Sequence, residues 1–227
     1  MPRSQIPAVR SLPHAPRVSR RARRRAEIRE RLFQAALRLF AERGYQETTV
    51  EDITEAADVG KGTFFNYFPT KEHVLATYGE ERVATIERAL EEARNAKGRV
   101  LPVLNEMIAN LCRPSSQNPE LARSIFAAHC SSAPVRRDLQ KRLQRARRLI
   151  AEIFTLAQES GEIRRDLSAA ELGRLTHIIF MGITLAWSLN PDSALQKTAA
   201  EIWDLLLPNL VTPKIATRHK KRRLAKR

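Results

Sequence analysis

Eleven residues, Lys61 to Lys71 (KGTFFNYFPTK), bring together side chains that could hold a nucleic acid. Asn66 carries a donor and an acceptor that match the edge of adenine and could equally touch a phosphate, and Lys61 and Thr63 add an ammonium and a hydroxyl. Phe65 and Tyr67 offer flat faces for sugars, base edges and thymine methyls, and Gly62 lets the backbone approach a groove. Phe64 and Phe68 are four apart and share one helical face, with Val59 beside them, so these go to the core. Lys61, Gly62, Thr63, Phe65, Asn66 and Tyr67 are left outside. Pro69 stops the helix and the preceding glycines weaken it, so a short helix is expected over 61–67. Lys71 opens the next helix, where free N–H groups and the helix dipole favour an anion and an ammonium completes a phosphate site. Thr49 is placed to do the same one helix earlier.

The elements that must position this set are legible on either side. Ile28, Leu32, Ala35, Ala36, Leu39 and Phe40 form one apolar stripe, closed by Gly44, and predict a first helix. Thr49 is the expected N-cap of a second helix through Ala57, with Asp52 as its capping-box acid and Val50, Ile53 and Ala57 facing inward. "DVG" makes a tight connection to the third helix, and Thr70 is expected to cap the fourth. Two short helices joined by a tight turn, with a longer one packed across them, make a helix-turn-helix.

Clusters of Gly, Pro, Ser and Asn divide the remainder into six helices near 71–96, 100–112, 118–130, 134–160, 168–189 and 193–208. The segment from His177 to Leu189 is apolar almost all round, so burial on more than one side is expected, and a dimer interface explains it. Its most apolar run, Ile178 to Trp187, falls short of the roughly 18 residues of a membrane span. Phe126, His129, Cys130, Phe154, His177, Phe180, Met181 and Trp187 are candidates for a mostly apolar ligand pocket, with ordinary core packing as the alternative for each. A metal site is not expected, because adjacent His129 and Cys130 point about 100° apart on a helix. "GKGT" lacks the strand and first glycine of a phosphate loop, and no nucleophile elbow or paired-carboxylate motif occurs. No cofactor is expected, and the chain is read as not an enzyme.

The formal net charge is +15 over 227 residues, and it is concentrated at the ends. Residues 1–26 and 214–227 each carry eight Lys or Arg and no acid, while the other 24 basic residues face 25 acids, which leaves the body at −1. The tails read as disordered arms suited to a polyanion, with a solubilising tail that has no specific partner, an anionic membrane surface or ribosomal RNA as alternatives to DNA. Two cysteines make no disulfide framework, and the basic N-terminus lacks the apolar stretch of a secretory signal, so a cytoplasmic protein is expected.

From about Glu27 to Leu75, including "AALRLFAERGYQETTVEDITEAADV" and "GKGTFFNYFPTKEHVL", the chain resembles the DNA-binding domain of the tetracycline-repressor (TetR) family. The resemblance implies an all-α fold: a three-helix helix-turn-helix domain at 27–71, then a larger six-helix ligand-binding and dimerisation domain at 72–210. A basic arm (1–26) and tail (211–227) flank them. It implies a bacterial repressor, nucleoid-associated when on DNA, that binds a palindromic operator in double-stranded DNA. It also implies a homodimer formed through the last two long helices, released by a largely apolar small-molecule effector, with no membrane partner. By resemblance, Lys61, Gly62 and Thr63 begin the base-reading helix, Phe65, Asn66 and Tyr67 make groove and phosphate contacts, and Thr49 and Lys71 flank them. Phe65 stands where the family often has Tyr, and Gly60 where it often has Ser or Thr. The readings from other classes are a general nucleic-acid binder driven by its tails and a small-molecule-binding enzyme.

Overall fold

The Ser19 hydroxyl accepts the Ala22 N–H at 3.1 Å and caps helix α1 (Arg20–Arg43), which ends at Gly44 in a positive-φ conformation (φ 87°) that glycine adopts without strain. A computed structural model describes residues 19–113, 118–191 and 194–212, and among these it holds nine helices and no strand. After α1 come α2 (Val50–Ala56), α3 (Lys61–Phe65), α4 (Lys71–Asn95), α5 (Val100–Leu111), α6 (Pro119–Ser131), α7 (Ala133–Glu159), α8 (Ala169–Leu189) and α9 (Leu195–Leu210). The fold is all-α, as its periodicity predicts.

Four local expectations change. The arginine run assigned to a disordered arm is helical from Arg20: Arg and Ala are good helix formers, Ser19 caps them, and no glycine or proline intervenes before Gly44. The rest of both basic tails lies outside the described residues. The recognition helix ends at Phe65 rather than Tyr67, since Pro69 lies too close for the chain to add a turn. Thr70 occupies the N-cap of α4 without capping it, its hydroxyl lying 3.0 Å from His73 Nδ1. Helix α8 is, by length and composition, apolar enough to cross a membrane, though its run Ile178–Trp187 alone is not. Residue 193, the expected start of the last helix, is outside the described residues, and α9 begins at Leu195.

Two apolar cores hold these helices. The first gathers Leu32, Phe40, Ile53, Phe64, Phe68 and Val74 from α1–α4 and continues into Leu121, Ala128 and Val135 of α6 and α7, so it does not stop at residue 71. Gln46 donates to Ser131 Oγ at 2.7 Å across the same junction. The second joins α4, α5, α7, α8 and α9 around Leu104, Met107, Ile153 and Phe154. There α8 lies so close to α7 that a Cβ on Gly173 would come within 2.9 Å of backbone atoms of Arg147 and Ala151. Gly173→Ala is therefore expected to force these helices apart and lower the melting temperature, whereas Gly182→Ala, with nothing within 4 Å, is expected to spare the isolated subunit. Thermal unfolding of the two variants checks this.

Candidate nucleic-acid interface and effector cavity

Helix α2 is fixed by the expected capping box: Thr49 Oγ1 accepts the Asp52 N–H at 3.1 Å, and Asp52 Oδ2 accepts the Thr49 N–H at 2.8 Å. The connection to α3 passes through Asp58 in the left-handed region (φ 50°), which Asp tolerates better than most residues. Helix α3 has only five residues and cannot be stable alone; it is held by Phe64 (0% exposed) and Phe68 (1% exposed), with ring centroids 5.6 Å apart. That packing turns Lys61, Gly62, Phe65 and Asn66 to solvent, with Thr63 and Tyr67 half-buried. Asn66 is the C-cap of α3, and Tyr67 lies beyond it in the turn, packed on the first core.

Lys61 forms an ion pair with Glu51, and hydrogen bonding from the ammonium holds the Glu51 carboxyl below its usual range. Both side chains are exposed, and such pairs are worth little, so a phosphate can take the ammonium over. Five arginines, Arg20, Arg21, Arg23, Arg24 and Arg25, project into solvent from the first turns of α1.

Lys71 is placed differently from expectation. Its ammonium donates to the carbonyls of Tyr45 and Thr48 at 2.7 Å and of Gln46 at 3.3 Å, and lies 4.3 Å from the centre of the Tyr45 ring. Three N–H groups thus meet three carbonyls, and burial lowers the pKa of the amine. The ammonium ties down the loop that delivers Thr49 rather than standing free for a phosphate. Lys71→Met is accordingly expected to cost about 1.5–3 kcal/mol of stability through charge-assisted hydrogen bonds, and to weaken DNA binding by loosening that loop. A melting curve and a salt titration decide: a direct phosphate contact would leave the melting temperature alone and reduce the salt slope by about 0.9.

Between α4, α5, α6, α7, α8 and α9 lies a cavity of about 310 Å3. Phe126, His129, His177, Phe180 and Met181 line it, as their sequence positions suggested. The other three candidates do not. Cys130 is exposed, because it is a third of a turn from His129; Phe154 is fully buried in the second core; and Trp187 packs with Cys112, Leu195 and Ala199. Burial pushes both histidines down to about pKa 4, so both are neutral at pH 7. Sequence reasoning missed Arg82 and Arg142. Arg82 donates to the Leu111 carbonyl at 2.8 Å and lies 5.3 Å from the centre of the Phe180 ring. Among the described residues no cluster of three or more His, Cys, Asp or Glu is arranged to hold a metal ion.

A family described as "Bacterial regulatory proteins, tetR family" matches residues 32–78. The chain is similar to FadR of Thermus thermophilus, a TetR family transcriptional repressor solved in complex with lauroyl-CoA. The two share 34% identity over 79% of this chain and 92% of that one, with a TM-score of 0.55. It is 27% identical to the HTH-type transcriptional repressor DhaR of Mycobacterium sp. (strain GP1), over 82% of this chain and 95% of that protein. SmeT, the repressor of a Stenotrophomonas maltophilia multidrug efflux pump, shares the fold at 21% identity, with 82% of this chain and 91% of that one aligned and a TM-score of 0.67.

Proposed function

The chain belongs to the TetR family of bacterial regulatory proteins, and from this membership we propose that it is a ligand-responsive transcriptional repressor. In this reading it is a homodimer that grips a palindromic operator in double-stranded DNA and lets go when a largely apolar small molecule fills the cavity. The observation that carries the reading is the outward face presented at α3, where burial of Phe64 and Phe68 turns Lys61, Gly62, Phe65 and Asn66 to solvent, with Thr63 half-buried beside them. The DNA-reading unit is 27–71 and the effector and dimer unit 72–210. The protein works in the bacterial cytoplasm, at the nucleoid when bound, and catalyses no reaction.

In a dimer, two copies of α3 enter successive major grooves about 34–36 Å apart. An effector between α4 and the bundle acts by favouring the arrangement in which that spacing no longer fits, which is a coupling free energy between two sites. That a relative is described with lauroyl-CoA, and that this cavity is lined mainly by Leu, Ile, Phe and Met, supports an apolar effector. Phosphate contacts from the arginine turns of α1 and from the basic tails add affinity without sequence information.

Gel shifts on matched and scrambled operators separate the two contributions. Thr63→Ala or Asn66→Ala is expected to cost roughly 1–3 kcal/mol and to relax specificity at one base pair. Replacing Arg23, Arg24 and Arg25 together by alanine is expected to weaken binding to every sequence and to flatten the dependence of log K on log salt by up to about 0.9 per lost contact. Equal losses on matched and scrambled DNA for Asn66→Ala would contradict a reading role.

A further inference from the structure

The cavity has a polar end that a purely apolar effector leaves unused. Arg142 of α7 is only 7% exposed. Its guanidinium pairs with Asp138, one turn earlier and half-exposed, but its Nε is buried and has no hydrogen-bond partner among the described residues. Gly79 of α4 makes the position possible, since a Cβ there would lie 2.4 Å from Arg142 Nε. Facing the same space from α6, His129 also keeps a buried Nδ1 without a partner.

The ionisable groups around the cavity are one-sided. Arg82, Arg142, His129, His177 and Tyr78 line it, and among the described residues no aspartate or glutamate does. Asp138, which pairs with the guanidinium, is itself half-exposed to solvent. A buried guanidinium donor without an acceptor is costly, and an oxyanion relieves that cost with a charge-assisted hydrogen bond. Building on the reading of the cavity as an effector site, we propose that the effector is an amphipathic carboxylic acid. Its carboxylate accepts from Arg142 and from the His129 imidazole in its Nδ1–H tautomer, and its apolar body lies among Met107, Phe126 and Phe180. The volume, about 310 Å3, is at the lower end of the roughly 300–1,000 Å3 usual for small-molecule sites and favours a compact acid over one carrying a nucleotide handle.

The test is calorimetric titration of the full chain with decanoate, 1-decanol and decanoyl-CoA, which share a ten-carbon chain and differ in the head. Decanoate is expected to bind at least about tenfold more tightly than decanol, as one charge-assisted hydrogen bond can provide. Arg142→Met should abolish that preference while keeping decanol binding. Asp138→Asn, which removes the competing carboxylate without deleting the buried arginine, should increase the preference for decanoate, and it decides the matter should Arg142→Met not fold. Decanol binding as tightly as decanoate, a preference that survives Arg142→Met or is unmoved by Asp138→Asn, or decanoyl-CoA outcompeting decanoate would each overturn the proposal. An operator gel shift with the same compounds keeps the two readings apart. Preferential decanoate binding without operator release would remove the effector role and leave the carboxylate site standing. Intact operator binding with no decanoate binding would do the reverse.

Discussion

Ile178→Asp combined with Leu185→Asp is expected to leave a folded but monomeric chain that no longer holds its operator. The two residues are 47% and 40% exposed, and with Gly182 and Leu189 (66% exposed) they make a row at four-, three- and four-residue spacing along α8. Leu205 of α9 is 73% exposed. A soluble chain rarely leaves such a row uncovered, and a two-fold axis covers it with its own copy, across which Gly182 allows close approach. Two aspartates are solvated in the monomer and buried without partners in the dimer, so they act on assembly alone. Ile183 and Leu206, which the apolar pattern also singles out, are less suitable for this test, because both are partly buried and line the cavity. Sedimentation should show half the native mass with unchanged helix content. Operator affinity should fall by roughly 10²–10⁴, the gain that linking two half-site contacts provides. A variant that stays dimeric would place the interface elsewhere.

Phe64→Ala is expected to melt the DNA-binding helices while the bundle and the dimer persist. Phe64 is fully buried, and truncating a buried phenylalanine costs about 3–5 kcal/mol. Helices α2 and α3 have seven and five residues and draw their stability from that packing rather than from their own hydrogen bonds. Hydrogen exchange should show amides between residues 50 and 68 losing protection while those of α7 and α8 keep theirs, and operator binding should vanish. Phe65→Ala is the control: its ring is 48% exposed, so stability should change by less than about 0.5 kcal/mol while DNA affinity falls. Unchanged protection in Phe64→Ala would show that α3 is held by something other than its aromatic core.

How much of this could be read in the sequence depended on whether the deciding interaction was local. Helix α2 is legible almost to its last residue, because a capping box is a local device written in Thr49 and Asp52, three positions apart, and only Ala57 falls outside as the C-cap. The inward turn of Phe64 and Phe68 followed from a spacing of four. Helix α1 begins before its apolar stripe, because a run of arginines looks like a solvated tail when charge repulsion is weighed and the Ser19 cap is not. What holds the Lys71 ammonium is not legible, for a different reason. Its partners are carbonyls 23 to 26 residues away, a distance over which no periodic pattern reports. In the cavity, five of eight candidates were found from apolar and histidine content, but Phe154 and Trp187 show that such content does not separate lining from filling. Arg142 did leave a trace: it falls in the row Val135, Leu139, Arg142, Ala146, Ile150, Ile153, an arginine in an otherwise apolar stripe. Only the contact with Gly79, on a helix some sixty residues earlier, shows why it is tolerated there.

A chain that reads a specific DNA sequence through α3, with its basic segments as helpers, must prefer one site over any scrambled copy of it. Selecting genomic fragments with the full chain, then comparing its affinity for the recovered site and a scrambled copy at physiological salt, decides whether it does. The expected result is a site with inverted half-sites, bound by two chains and preferred at least about a thousandfold over the scrambled copy. Binding of equal strength to both, lost steeply with added salt, would contradict it and leave only the charge of the tails at work.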